Sequence, residues 1–411
     1  VALLTTAQRP NYYAVAQQST GKLIVVGRDS YADNLDPATI RGWKIRRYHI
    51  NGSLDTGFGS NGVVTLFGDY EDWREDEPLD VAIGANDRIY ISGRVFSPEQ
   101  SGGGGKGNKK NNSNASLVGR FTLVCLLVDG APDGDFGTDG VVQRDFADNT
   151  GGPVASSVLI DGDGQIVVGG FASMPYDVEV AARGKNKTRI ATRNIERVFL
   201  VRYNTDGTPD TSFGDGGVFI DEGTADGEST TAERMQIRGL RELPDGAYAA
   251  LVWSRPYDGG GAGLESNQVR RYEDDGSRAS GSVLADEDGN PRHVNTFAID
   301  SQGRVLLGIN EWNATTETYD ASVACYDGGS LDTSYGVNGY REIYDDAPGD
   351  LYVYYGSVVV AGDALRIGCA LLSSTDPVNS WDALVVGLDS DGDFDPNYGS
   401  GGSSEPILSA D

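Results

Sequence analysis

A repeated segment constrains the fold more than any other feature of this chain. Clear copies read NGSLDTGFGSNGVV from Asn51, DGAPDGDFGTDGVV from Asp129 and DGTPDTSFGDGGVF from Asp206. Weaker copies begin at Gly328 and Asp391, and a decayed copy without Phe-Gly begins at Asp275. A segment that returns six times at variable spacing indicates six structural modules whose length differences lie in loops.

A second segment also occurs six times, always upstream of the first. Its copies include GKLIVVGR from Gly21, DRIYISGR from Asp87 and GQIVVGGF from Gly164. A turn residue followed by a short β-branched run is typical of a strand after a tight turn. One further apolar run precedes this segment and another precedes the Asp-Gly turn, so each module is predicted to contain four strands, A to D.

Six four-stranded modules with glycine-rich turns predict an all-β fold, a single six-bladed β-propeller of four-stranded antiparallel blades over residues 1–411. We expect residues 2–6 and the strand at 406–408 to close the ring. A solenoid is the competing architecture, and it should show shorter and more uniform coils. The predicted blades are residues 11–66, 79–144, 154–220, 235–286, 293–344 and 354–408.

These motifs resemble the bacterial delta-60 repeat family, whose pattern is close to D-G-S-L-D-x-x-F-G-x-x-G-V-V with an upstream D-G-K-I-L-V-A-G strand. The resemblance covers roughly residues 20–405. It implies a propeller fold in a secreted or surface-associated bacterial protein, and it implies no particular reaction.

The repeated segment has a structural interpretation. Asp-Gly supplies the positive φ that a tight turn needs, and the next Asp, such as Asp55 or Asp133, can accept backbone N–H groups. The aromatic residue can fill the space between blades, and the following Gly lets two backbones approach.

The sixth copy is richer in acid and predicts a calcium site as an alternative to a solvated turn. Alternating carboxylates around a Gly resemble a Ca²⁺ loop, because hard cations prefer several oxygen ligands. The distal Glu of an EF-hand is absent, and no other cofactor is expected. The candidate ligands are Asp389, Asp391, Asp393 and Asp395.

Length variation falls on the B–C and D–A links, which share one face of an up-and-down blade. The insertions at residues 97–116 and 173–197 carry most of the lysines of this acidic chain. Loops on a rigid scaffold often carry function, so this face is predicted to bind a partner. The candidate residues are Lys106, Lys109, Lys110, Lys185, Lys187, Arg183, Arg189, Trp73, Tyr176, Trp312 and Trp381.

Charge and cysteine content exclude several classes of partner and site. The formal net charge is −28, which opposes nonspecific binding to nucleic acid or to anionic lipid. No apolar run is long enough for a membrane span. Cys125, Cys325 and Cys369 are far apart in apolar runs, so neither a disulfide framework nor a zinc site is expected.

The sequence therefore predicts a non-catalytic scaffold that binds other protein subunits in an extracellular, surface-associated or virion assembly. One alternative is a propeller that binds a glycan through Trp and Tyr on the rim. A virion appendage is another, and a propeller hydrolase or lyase is the least favoured. Catalysis is disfavoured because the A strands offer mainly Arg238 and Arg241 as ionisable groups, without paired carboxylates or a His beside a nucleophile.

Overall fold

A computed structural model describes most of the chain. The described residues are 10–29, 42–67, 76–98, 117–146, 152–181, 188–221, 233–256, 266–279, 293–313, 318–344, 351–361, 364–373 and 381–399. Within these ranges the structure is almost entirely β-strand, with one short 3-10 turn at Ala85–Asp87.

The strands follow the predicted modules in chain order. The first three modules contain β1 (Pro10–Gln17), β2 (Leu23–Asp29), β3 (Trp43–Tyr48), β4 (Val63–Leu66), β5 (Glu77–Ile83), β6 (Ile89–Pro98), β7 (Leu117–Leu126), β8 (Val141–Arg144), β9 (Val154–Ile160), β10 (Ile166–Ala181), β11 (Thr188–Tyr203) and β12 (Val218–Asp221). The last three contain β13 (Glu233–Glu242), β14 (Tyr248–Pro256), β15 (Ser266–Tyr272), β16 (His293–Ile299), β17 (Val305–Asn313), β18 (Thr318–Asp327), β19 (Ser330–Leu331), β20 (Tyr340–Tyr344), β21 (Leu351–Ala361), β22 (Ala364–Ser373) and β23 (Trp381–Leu388).

Each module forms its own antiparallel sheet, with strands paired in chain order. The first three sheets have four strands, and the fifth has β20 paired with β18 beside the short β19. The fourth and sixth sheets have three described strands, because their predicted D strands lie outside the described residues. The fold is the predicted six-bladed β-propeller. The proposed closing strands at 2–6 and 406–408 also lie outside the described residues.

The chain divides into two compact units, and in each the core lies between successive sheets. The first unit comprises residues 1–240, 257–260 and 275–277, and the second comprises the remainder. In the first unit Phe121 and Phe199 are buried between the second and third sheets. In the second unit Phe297 and Leu307 lie in a cluster formed by the fourth and fifth sheets.

The repeated segment joins successive modules, as the sequence predicted. The N–H of Gly59 donates to the carbonyl oxygen of Asp129 in the next module at 2.9 Å, and the ring of Phe58 packs on Gly130. Gly130 has φ +90° and a Cβ there would lie 2.8 Å from the ring, so only Gly fits. The same backbone bond recurs from Gly137 to Asp206, from Gly214 to Asp275 and from Gly336 to Asp391.

The carboxylate of the repeated segment is paired with a basic side chain inside its own module, which the sequence analysis did not predict. In the first and third modules the cation is an arginine of strand C. Arg47 contacts Asp55 at 2.7 Å, and Arg202 contacts Asp210 at 2.7 Å. In the second module Cys125 occupies the position of this arginine. The carboxylate of Asp133 pairs instead with Arg88, which lies at the start of strand B. The cation therefore comes from either strand.

The decayed fourth copy keeps the arginine of strand C, Arg271, but has lost the carboxylate of the motif. Ala279 occupies the carboxylate position, and its N–H still donates to the carbonyl oxygen of Arg271 at 3.1 Å. Arg271 instead binds Asp245 at 2.8 Å and Glu273 at 3.1 Å. Both ion pairs raise the pKa of Arg271. The ion pair thus survives with the carboxylates on other turns.

Strand A carries a β-bulge at a repeated position. The register between strands A and B slips by one residue at Tyr13, Leu79, Asn295 and Gly356, and at Ser156 in the third module. A bulge leaves one residue outside the ladder and turns its side chain in a new direction. The bulge therefore sets which side chains the A strands present at their N-terminal ends.

Part of the predicted B–C loop at 173–197 is strand instead. Strands β10 and β11 remain paired from Ile166 with Tyr203 out to Ala181 with Thr188. Alternation in MPYDVEVA and TRIATRNI suits a two-stranded ribbon, which the loop interpretation overlooked. Within the described ranges, no helix has the length and hydrophobicity that crossing a lipid bilayer requires.

Candidate functional site

Tyr13 lies at the bulge of strand β1 and anchors a cluster of polar side chains shared by the first two modules. The bulge places Tyr13 between two paired residues, Tyr12 opposite Gly27 and Ala14 opposite Val26. Its side chain is 37% exposed, and Val15 further along the strand is more exposed still. Bulges are enriched next to active sites because they redirect a side chain.

Two arginines at equivalent positions lie near this phenol. Arg28 and Arg94 each follow a glycine of strand B, Gly27 or Gly93, and the Arg28 guanidinium is hydrogen-bonded to the Tyr13 hydroxyl. Strands β1 and β2 both contact β5, so the first two modules meet at this position. The site is therefore built from corresponding ends of neighbouring sheets.

Glu77 and Arg94 form an ion pair across strands β5 and β6. They are direct partners in the register, and Nη2 of Arg94 lies 2.8 Å from Oε2 of Glu77. Gly93 makes this approach possible, because a Cβ at that position would lie 2.1 Å from the carbonyl oxygen of Glu77 and 2.7 Å from the ring of Trp43. The pair is about three-quarters buried.

A second set of contacts holds Arg94 in place. Its guanidinium lies 4.9 Å from the ring centroid of Phe96, at a distance typical of a cation–π interaction. The N–H of Phe96 donates to Oδ1 of the buried Asp76 at 2.8 Å. The Nε atom of Arg94 is buried without a hydrogen-bond partner within the protein. Arg94 thus has an oriented guanidinium with one donor unused.

The electrostatics keep Tyr13 protonated. Burial raises the pKa of Tyr13 above the ordinary value of a phenol, and the Glu77 carboxylate raises it further. The Arg28 guanidinium lowers this pKa, and Arg94 lowers it by a smaller amount than Arg28 does. The net direction is upward. Near neutral pH the hydroxyl is therefore protonated, and it lies in the field of the Arg28 and Arg94 guanidinium groups.

This arrangement suits an anionic ligand. The cluster brings two guanidinium groups together beside the carboxylates of Glu77 and Asp76, in a chain whose formal net charge is −28. Arginine matches a carboxylate with paired N–H donors, and charge-assisted bonds of this kind are strong. The phenol can donate to a second oxygen of the same ligand.

The residues predicted for the partner face are only partly described. Trp73, Lys106, Lys109, Lys110, Arg183, Lys185 and Lys187 lie outside the described residues. Four others have a described backbone on strands: Tyr176 on β10, Arg189 on β11, Trp312 on β17 and Trp381 on β23. They extend hairpins, in contrast to the predicted loops, and the partner-binding role stays a prediction.

Three of the four carboxylates of the predicted calcium loop are engaged, in different ways. Asp389 accepts the N–H groups of Asp391 and Asp393, at 3.1 and 2.8 Å. The Asp393 carboxylate pairs with Arg341, and Asp395 pairs with Arg366. Among the described residues, no three His, Cys, Asp or Glu side chains are grouped as ligands for a metal ion.

The sequence analysis missed the Tyr13 cluster although a signal was present. Of the six copies of the strand B segment, GKLIVVGR and DRIYISGR alone end in Gly-Arg. The third copy ends in Gly-Phe, so the arginines are specific to the first two modules. Tyr13 itself could not be found, because nothing in a single sequence marks a bulge.

Comparison with known families supports the propeller assignment. Residues 18–58 and 191–213 match a family model described as a domain of unknown function (DUF5122) beta-propeller. The matched segments include the carboxylate and aromatic positions of the first and third copies. The resemblance to delta-60 repeats stays a prediction. A search of curated proteins gives no match.

Solved structures resemble the chain at low identity. A protein of unknown function from Dyadobacter fermentans is 11% identical with a TM-score of 0.45, over 92% of this chain and 94% of that one. An ulvan lyase, a polysaccharide lyase, is 11% identical with a TM-score of 0.49, over 98% and 84%. An endo-arabinase from Bacteroides thetaiotaomicron is 11% identical with a TM-score of 0.31, over 83% and 95%. These likenesses concern the fold alone.

The prediction of a non-catalytic scaffold is wrong on these comparisons. The propellers that resemble the chain in fold include proteins named as a lyase and an endo-arabinase, and none of the comparisons supports a scaffold role. Paired carboxylates or a histidine beside a nucleophile were expected on the A strands of an enzyme. That expectation left out side chains that two neighbouring sheets bring together.

Proposed function

We propose that the protein is a carbohydrate-active enzyme that binds an acidic saccharide at the Tyr13 site. The observation that carries this proposal is the Tyr13 hydroxyl, which interacts with the Arg28 guanidinium in the field of Arg94, at the exposed bulge of strand β1. The guanidinium groups bind the sugar carboxylate, and the protonated phenol donates to the glycosidic oxygen.

The open position of the site favours a polymer over a small metabolite. Tyr13 and Val15 are exposed along one strand, whereas small-molecule sites usually bury most of the ligand. The ulvan lyase that resembles the chain in fold is named as a polysaccharide lyase, and acidic polysaccharides are the first class to test.

The test measures binding and cleavage separately. Purified protein is titrated with an oligogalacturonate and with a neutral oligosaccharide of equal length, and products are followed both as unsaturated uronates and as new reducing ends. We expect binding of the acidic oligosaccharide only. Loss of the hydroxyl in Tyr13→Phe should abolish cleavage and leave binding within a few-fold.

A matched control uses the same strand. Val15→Thr changes an exposed side chain outside the cluster and should leave both measurements unchanged. Equal binding of acidic and neutral oligosaccharides, or full activity in Tyr13→Phe, would contradict the proposal.

A further inference from the structure

The aromatic residue of the fifth repeat carries a hydroxyl that its counterparts in the first three repeats lack. The aromatic position is phenylalanine in the first three modules, at Phe58, Phe136 and Phe213, and tyrosine in the fifth, at Tyr335. Tyr335 is 1% exposed, and its Oη atom has no hydrogen-bond partner within the protein. A buried hydroxyl without a partner destabilises the folded state, so its retention calls for a partner.

Tyr335 also lines a small cavity. Its volume is about 10 Å³, close to the space that one water molecule requires. Its polar lining comes from Asp300, Arg304, Asp389 and Ser390, and its apolar lining includes Leu306 and Leu365. The cavity lies between the fifth and sixth sheets, within the second unit.

The polar groups around the cavity are mostly engaged elsewhere. Arg304 donates to Oδ2 of Asp300 at 2.6 Å and to the carbonyl oxygen of Ser390 at 2.7 Å. Asp389 uses Oδ1 for the N–H groups of its own turn. Asp389 lines the cavity, and its second carboxylate oxygen, Oδ2, is not used by these bonds. The Arg304 cation disfavours a metal ion there, whereas a neutral molecule that both donates and accepts fits.

We propose that this cavity binds one ordered water molecule that links the Tyr335 hydroxyl to the Asp389 carboxylate. The water accepts from Oη of Tyr335 and donates to Asp389, so it connects the aromatic of one module to the turn of the next. A bridge of this kind satisfies a buried polar group at little cost in enthalpy.

High-resolution crystal structures of three proteins test the proposal: the wild type, Tyr335→Phe and Tyr398→Phe. The last makes the same chemical change at the same motif position in the sixth module. We expect a fully occupied water within about 3 Å of Oη of Tyr335 in the wild type and in Tyr398→Phe. It should be lost in Tyr335→Phe. A dry cavity in the wild type, or a water that persists at full occupancy in Tyr335→Phe, would overturn the proposal.

Discussion

The N–H of Gly214 donates a 2.8 Å hydrogen bond to the carbonyl oxygen of Asp275, the first residue of the decayed fourth repeat. Gly276, the next residue, packs on the ring of Phe213. The fourth repeat has lost its own Phe-Gly but has kept Asp-Gly. The two halves of the segment therefore make contacts with different neighbours. Asp-Gly contacts the preceding module, and Phe-Gly contacts the following one.

Alanine at Gly207 should cost more stability than alanine at Gly164. Both glycines have φ +82°, so each substitution incurs about 1–2 kcal/mol for a left-handed L-residue. A Cβ at Gly207 would also lie 2.9 Å from the backbone nitrogen of Gly137, whereas Gly164 has open space. This crowding should add about 1–3 kcal/mol. Chemical denaturation of the two variants measures the difference in their free energies of unfolding. Equal losses of stability would contradict close packing of Gly207 against Gly137 of the preceding module.

Removing the carboxylate of Asp210 should strongly destabilise the first unit. The Arg202–Asp210 pair is buried at 2.7 Å, and the same guanidinium lies 5.0 Å from the centroid of Phe213. Asp210→Ala leaves that cation buried and should cost about 3–5 kcal/mol in the free energy of unfolding. The double variant Arg202→Met with Asp210→Ala should lose less. A double variant at least as unstable as the single one would argue against the ion pair.

Acid should weaken the fold through the repeated carboxylates. Hydrogen bonds from Ser334 and the nearby Arg304 lower the pKa of Asp332, and the N–H of Asn397 with Arg366 lowers that of Asp395. A carboxylate whose pKa is lower in the folded state contributes stability at pH values above its ordinary pKa near 4. That contribution is lost as the pH falls through the folded value.

The comparison of Asp332→Asn with the wild type checks this dependence. The free energy of unfolding of the variant should fall less steeply below about pH 5, because one titrating group is gone. Denaturation curves at several pH values give the slope. Identical slopes in the two proteins would show that Asp332 does not contribute.

Cys125 and Cys325 should be inert in the folded protein. Both are fully buried, and burial raises the pKa of each thiol to about 12. At pH 8 neither is a thiolate, and reagents that attack thiolates should modify them only after unfolding. Alkylation followed by peptide mapping reads each cysteine separately. Modification of Cys125 in native buffer at the rate of an exposed thiol would contradict this.

The repeats made the fold predictable, because each strand and turn recurs. The third blade was predicted at residues 154–220, and its strands run from Val154 at the start of β9 to Asp221 at the end of β12. The pairing of Asp133 with Arg88 was not predictable, since the cation comes from strand B in one module and strand C in another. The bulge at Tyr13 leaves no mark in a single sequence. The hydrogen bond from the Ser157 hydroxyl to Asp80 was not predictable either, because the two residues belong to different modules.

The binding of an acidic oligosaccharide to Arg94→Gln tests the central claim most directly. The wild type should bind oligogalacturonate and not its neutral counterpart. Loss of one charge-assisted bond of about 1.5–3 kcal/mol should weaken binding by about tenfold or more in the variant. The double variant Glu77→Gln with Arg94→Gln controls for the carboxylate left unpaired, and it should bind equally weakly. Undiminished affinity in both variants would contradict an anionic saccharide site at Tyr13.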